Sequence, residues 1–184
     1  MALNKRIQID VTKLIMSEYN LELINNKLNH FRLRIIGPKD SPYENGEWTI
    51  NVQLPTDYPY KSPSIGFVNR IYHPNIDFSS GSVCLNVLNQ TWTPVYELSN
   101  IFETFLPQLL LYPNPNDPLN KEAAKLLQTN PKEFNKKARR ITRRYATCYT
   151  PSFCKKSTKD HDTEVSDLSE DEESGVDQWS DLDL

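Results

Sequence analysis

Cys84 sits where a nucleophile could work. It lies beyond Gly81 in a long stretch without periodicity and follows a histidine and an asparagine, in His73-Pro74-Asn75. By residue type alone a free cysteine is more often a small buried hydrophobe. Cys148 and Cys154, at the exposed end of the last predicted helix, keep that plain reading.

Three chemistries can be asked of Cys84. A cysteine protease needs a histidine base to make the thiolate. His73 is the only histidine nearby, and no Cys-Gly-x-Cys-Trp context is present. A tyrosine phosphatase needs an arginine six residues after the cysteine, but that position is Gln90, so no guanidinium waits for a phosphate. Acyl transfer from an already activated thioester asks less. It needs an N–H or carboxamide to stabilise the tetrahedral oxyanion and a group to dehydrate and orient the incoming amine. Asn75 can supply the first and Asp117, in a proline-bracketed loop, the second. Each also has a plainer role: Asn75 as a turn-former after Pro74, Asp117 as a cap before Pro118 and the next helix.

The elements that must carry these residues follow from periodicity. Residues 5–18 predict a helix, with Ile7, Val11, Leu14 and Ile15 on one face. Leu21 and Leu23 begin a period-two pattern. Phe31, Leu33 and Ile35 continue it, as do Trp48, Ile50, Val52 and Leu54, and Ser64–Val68 supplies a fourth short strand. Turn-rich residues 25–29 and 37–42 between them argue for an antiparallel meander. Residues 69–95 read as irregular yet ordered, because such long stretches in compact domains are usually functional and this one holds several apolar groups. Leu98–Leu110 predicts a buried helix, kinked or missing a hydrogen bond at Pro107. The prolines of 112–119 forbid helix. Asn120 caps a short helix through Leu127, and Asn130 caps the last, with Pro131 first and Phe134, Ala138, Ile141 and Tyr145 as its buried stripe.

The 184 residues carry 21 Lys+Arg against 24 Asp+Glu. The charge is divided unevenly: residues 1–154 have 18 basic and 13 acidic side chains, residues 155–184 have 3 and 11. The acidic stretch has too few apolar groups to offset chain entropy and is expected to be disordered. This divides the chain into a body of residues 1–150 and a tail of residues 151–184. Ser166, Ser169 and Ser180, each followed by acids, are candidate phosphosites. No apolar run suits a membrane span, and the first residues lack the hydrophobic core of a signal peptide. The expected location is therefore the cytoplasm, the nucleus or both. Three scattered cysteines argue against a disulfide scaffold or a zinc site, and five glycines form no phosphate cradle. The basic run Lys136–Arg144 is read as a solvated face, since no aromatics interleave it as nucleic-acid binding would favour.

Taken together, several blocks resemble the ubiquitin-conjugating enzymes. They are Gly37-Pro38, Ser41-Pro42-Tyr43, Leu54-Pro55-Thr56-Asp57-Tyr58-Pro59-Tyr60-Lys61-Ser62-Pro63, Tyr72-His73-Pro74-Asn75-Ile76-Asp77, Gly81-Ser82-Val83-Cys84-Leu85-Asn86, Trp92-Thr93-Pro94 and Pro113 to Leu119. The likeness spans roughly residues 5–148 in matching order. It implies an α+β fold, the UBC fold: an N-terminal helix, a four-stranded antiparallel meander, a catalytic loop segment, a central helix and two C-terminal helices. It also implies roles. Cys84 matches the thioester cysteine, Asn75 the oxyanion-stabilising and loop-supporting amide, and Asp117 the acidic gate near the attacking lysine. His73 matches a structural histidine, with Pro74, Leu85 and Asn86 as further support. Asn86 departs from the Asp most members carry there. Lys5 and Arg6 match where members meet the activating enzyme and ligases, and Tyr60 and Pro94 the loops that grip a RING-type ligase. Implied partners are ubiquitin, its activating enzyme, a RING-type ligase and substrate proteins, without nucleic acid or membrane. No cofactor is implied, since ATP is consumed upstream by the activating enzyme. The acidic tail, Asn89–Thr93 and Tyr112–Pro115 resemble the class-H subgroup, which works with the multisubunit GID or CTLH ligase. A carrier of another ubiquitin-like modifier and a binding module with a silent Cys84 stand as alternatives.

Overall fold

Alternation along two seven-residue strands builds the sheet on which the site rests. In the computed structural model, which describes residues 5–17 and 19–146, β1 (Glu22–Leu23), β2 (His30–Ile36), β3 (Glu47–Gln53) and β4 (Ser64–Phe67) form one antiparallel sheet in sequence order. Phe31 pairs with Val52, Leu33 with Ile50 and Ile35 with Trp48, and Ile50 and Val52 meet Phe67 and Ile65 on the next strand. All of these are buried. Each such side chain contributes ~1.5–3 kcal/mol through burial, and a one-residue slip would turn the whole set to solvent. Cys148, Cys154, the boundary at residue 150, the candidate phosphosites and the acidic tail lie outside the described residues.

Helix α1 (Lys5–Met16) buries Ile7, Val11 and Leu14 as the spacing predicts, but not Ile15. Ile15 is 50 % exposed, and Asp10 is buried in the stripe. Asp10 is tolerated there because Arg6 Nε and the Tyr58 hydroxyl both donate to its Oδ2, at 2.7 and 2.5 Å. A buried carboxylate needs such partners.

Within 69–95, read as irregular, Leu85–Thr91 is helical (α2). Its sequence, LNVLNQT, has two asparagines and two β-branched residues, poor helix formers, so burial of Val87 and Leu88 and its place after Cys84 decide the matter. Before Pro107 the chain takes a π turn over Ile101–Phe105, then α3 (Leu106–Leu111). The Leu106 N–H reaches back five residues to the Ile101 carbonyl. Pro107 offers no N–H and its ring crowds the carbonyl four residues before it, so the turn widens there. Helices α4 (Lys121–Thr129) and α5 (Pro131–Tyr145) are capped as predicted: the Asn120 side chain accepts from Ala123 N at 3.0 Å and Asn130 from Glu133 N at 3.2 Å. Tyr145 is only half-buried, and Lys136, Arg139, Arg140 and Arg144 are exposed along α5.

Candidate active site

The segment carrying Cys84 is laid along the edge of β4 by its main chain. Gly66 bridges Ser82, Ile76 bridges Val83, and Val83 N donates to Ile65 O at 2.9 Å. Gly81 makes the approach possible. Its φ is +73°, its carbonyl accepts from Phe67 N at 2.8 Å, and a Cβ there would stand 1.9 Å from the Phe67 carbonyl oxygen. No side chain fits, and the positive φ suits glycine in any case. Cys84 follows as the N-cap of α2, its N–H bonded to Asn75 O at 2.9 Å and its carbonyl accepting from Leu88 N. Its side chain is 5 % exposed.

His73, Pro74 and Asn75 face inward from this segment. His73 is fully buried. Its Nε2 donates to Leu109 O at 2.9 Å, so its Nδ1 accepts from Asn75 N at 3.0 Å. Burial holds its pKa down to about 4, partly opposed by the Leu109 hydrogen bond. The ring is thus neutral with both nitrogens engaged, and cannot serve Cys84 as a base. The Pro74 carbonyl accepts from Leu119 N and Asn120 N, at 3.0 and 2.9 Å, and ties the start of α4 to the segment. Asn75 spends its carboxamide on the 112–119 loop. Oδ1 accepts from Asn114 N at 2.8 Å, and Nδ2 donates to Asn114 O at 2.6 Å and Asp117 O at 3.2 Å. In this state the amide supports the loop, with its hydrogens already engaged.

Asp117 is thereby brought over the nucleophile: Cys84 Sγ lies 4.0 Å from Asp117 Oδ2, and Asn86 Nδ2 donates to that same oxygen at 3.2 Å. Leu85 is more than half exposed beside them. The structure therefore assembles Cys84, Asn75, Asp117 and Asn86 around one point, with His73 and Pro74 beneath. A sulfur nucleophile facing a carboxylate suits attack by an amine on a sulfur-bound acyl group.

Lys5, Arg6, Tyr60 and Pro94 belong to a second cluster, where α1 meets two loops. Tyr60 is 81 % and Val95 86 % exposed. Pro94 and Lys5 are exposed too. Arg6 is engaged within the chain: besides Asp10, it donates to Pro94 O at 3.1 Å and Tyr96 O at 3.0 Å. The hydrogen bond to Asp10 raises its pKa further. Trp92 Nε1 donates to Pro59 O at 2.9 Å and its ring packs on Tyr58 and Tyr96, so the two loops brace each other. Burial, then Asp10, raise the Tyr58 pKa. Sequence reasoning missed Asp10 and Tyr58. The legible signal was an acid inside the apolar stripe of α1, four residues after an arginine. It also missed the Asn86–Asp117 contact, which 31 residues of chain separate.

Among the described residues, no group of three or more His, Cys, Asp or Glu side chains is placed to hold a metal ion. A profile of the ubiquitin-conjugating enzymes matches residues 2–142. The chain is 54 % identical over 143 residues to ubiquitin-conjugating enzyme E2 5 of Arabidopsis thaliana, covering 78 % of this chain and 77 % of that protein. It is 53 % identical over 143 residues to ubiquitin-conjugating enzyme E2-24 kDa of Saccharomyces cerevisiae, covering 78 % of this chain and 66 % of the relative. The solved E2 domain of a Toxoplasma gondii ubiquitin conjugating enzyme superposes with a TM-score of 0.69 at 30 % identity, over 77 % of this chain and 97 % of that one. With sequence, fold and site in accord, the chain belongs to the ubiquitin-conjugating enzymes, which transfer ubiquitin through a cysteine thioester.

Proposed function

We propose that Cys84 is the cysteine that carries ubiquitin and that Asp117 receives the attacking lysine. The observation that carries this reading is the 4.0 Å approach of Cys84 Sγ to Asp117 Oδ2, on a loop that Asn75 staples in place. In loading, the Cys84 thiolate attacks the thioester carbonyl of ubiquitin on its activating enzyme, and that enzyme's cysteine leaves as thiolate. In transfer, a lysine amine adds to the new thioester, forming a C–N bond and a tetrahedral oxyanion. Collapse breaks the C–S bond, returns the electron pair to Cys84, and releases the amine's surplus proton to solvent. Asp117 contributes by stripping water from the amine and aligning it. Asn75 can also serve the oxyanion if one of its donors is released from the loop carbonyls.

Exposed Tyr60, Pro94 and Val95 form the surface for a RING-type ligase, and Lys5 and Arg6 flank it for the activating enzyme. Arg6 acts mainly by holding the Pro94–Tyr96 loop in shape. A body of residues 1–150 is followed by an acidic extension for a basic surface of a GID- or CTLH-like ligase, in the cytoplasm or nucleus.

Charging by ubiquitin-activating enzyme and ATP tests the assignment. The wild-type adduct should be labile to thiols, Cys84→Ser should give a stable ester or none, and Cys84→Ala none. A thiol-labile adduct on Cys84→Ala would mean that another cysteine carries ubiquitin.

A further inference from the structure

The Asp117 main chain is held by Asn75, but that bond leaves the direction of the Asp117 side chain open. What directs the carboxylate is Asn86, the second residue of α2. It is exposed, and its Nδ2 donates at 3.2 Å to the oxygen that lies 4.0 Å from Cys84 Sγ. We propose that Asn86 is a positioning residue for transfer: its amide clamps Asp117 Oδ2 over the sulfur and leaves Oδ1 turned to the incoming lysine. The inference rests on the reading of Asp117 as the group that meets the amine.

Two physical points support the clamp. The first is geometric. Asn86 is the second residue of a helix whose N-cap is the nucleophile itself, so one short rigid element sets both the sulfur and the donor. A carboxylate aligned before the amine arrives does not have to be ordered in the transition state. The second is electrostatic. A neutral amide holds the carboxylate by donating to it and adds no charge, whereas an acid at the same place would set acceptor against acceptor. Two carboxylates at that distance repel and share a proton at low pH. Asn86 therefore keeps one negative charge, in one orientation, beside a leaving group that itself departs as an anion.

The test is single-turnover discharge of the purified wild-type or variant ubiquitin thioester to free lysine, across lysine concentration and pH. Starting from the loaded protein keeps charging out of the measurement. Asn86→Ala should lower the maximal discharge rate about tenfold, the size of one lost hydrogen bond to a charged group. Asp117→Ala should lower it more, and the double variant should be no slower than Asp117→Ala alone, since a clamp has nothing to hold once its carboxylate is gone. Asn86→Asp, equal in shape but unable to donate when ionised, should be slow at pH 8 and recover toward wild type as the pH falls and a shared proton restores the donor. Independent, multiplying losses in the double variant would overturn the inference, as would Asn86→Asp discharging at the wild-type rate at pH 8. Asp117→Ala slow beside Asn86→Ala at the wild-type rate would overturn the clamp and leave the reading of Asp117 standing. Asp117→Ala at the wild-type rate would remove that reading, and the clamp with it.

Discussion

Residues 76–84 and residues 112–119 face each other across the site and are held by different means. The first run is fastened to the sheet by main-chain bonds, among them Phe67 N to Gly81 O and Val83 N to Ile65 O, and Cys84 N is bonded in turn to Asn75 O. The second contains Pro113, Pro115 and Pro118, which have no N–H to give. Its end is tied to the Pro74 carbonyl, and its middle hangs on one buried carboxamide, that of Asn75. The nucleophile is thus placed redundantly, whereas the main chain that carries the acid opposite it hangs on a single side chain. Proline stiffens the loop but strips it of donors, so a buried amide with both donor and acceptor capacity must replace the missing ladder.

The largest effect should come from cutting that one support. Asn75→Ala removes the donors and the acceptor together, and discharge of loaded protein to lysine should fall about 10²–10³-fold, the range typical of a lost oxyanion donor. Charging should fall far less, because Cys84 is held by main-chain bonds. Asn75→Asp sharpens the contrast: it keeps the acceptor for Asn114 N and loses both donations. Equal losses in charging and discharge would break the comparison, showing that the amide holds both sides of the site.

A smaller effect concerns His73, whose ring joins the Asn75 main chain to α3. Its folded pKa is about 4, against an ordinary value of 6.5. Between these values the unfolded chain binds a proton that the folded chain refuses. Stability is therefore fully present above about pH 6.5 and falls as the pH drops toward about 4, by up to ~1.4 kcal/mol per pH unit from this residue. Denaturant midpoints measured from pH 4 to 7 should show this slope in the wild type and a flatter one in His73→Gln. Identical slopes would show that protonation of His73 is not resisted by the fold.

The smallest effect on the site should come from removing residues 155–184. Cys84 and its supports all lie outside that stretch, so thioester formation should persist. Binding to the cognate ligase should weaken, and the difference should shrink as salt rises, because the screening length is about 8 Å at physiological ionic strength. Equal affinity at low salt would dispose of a docking role and leave a solubilising extension.

Much of this arrangement was legible before any coordinates. The alternation of Phe31, Leu33 and Ile35 and of Trp48, Ile50 and Val52 marks the face that burial then enforces. Asn120 and Asn130 announce their helices because capping is local chemistry. Pro107 marks its distortion, though not that it would take the form of a π turn. Helix α2 was not legible, because seven residues with two asparagines carry no helical period that could be told from a loop. Asp10 was missed for a related reason. A carboxylate is expected outside until a partner is known, and Tyr58 lies 48 residues away.

The sequence by itself determined the order of the strands, which of their residues face the core, the caps and the identity of Cys84 as the cysteine with chemical prospects. These rest on periods of two and 3.6 and on residue types acting within a few positions of one another. Only the tertiary structure decided that Asn75 spends its amide on the loop, that Arg6 braces Pro94 and Tyr96, and that Asn86 reaches Asp117. Those contacts join residues 31 to 90 positions apart, and whether a polar group is free or engaged depends on which distant partner folding brings within 3 Å or so of it.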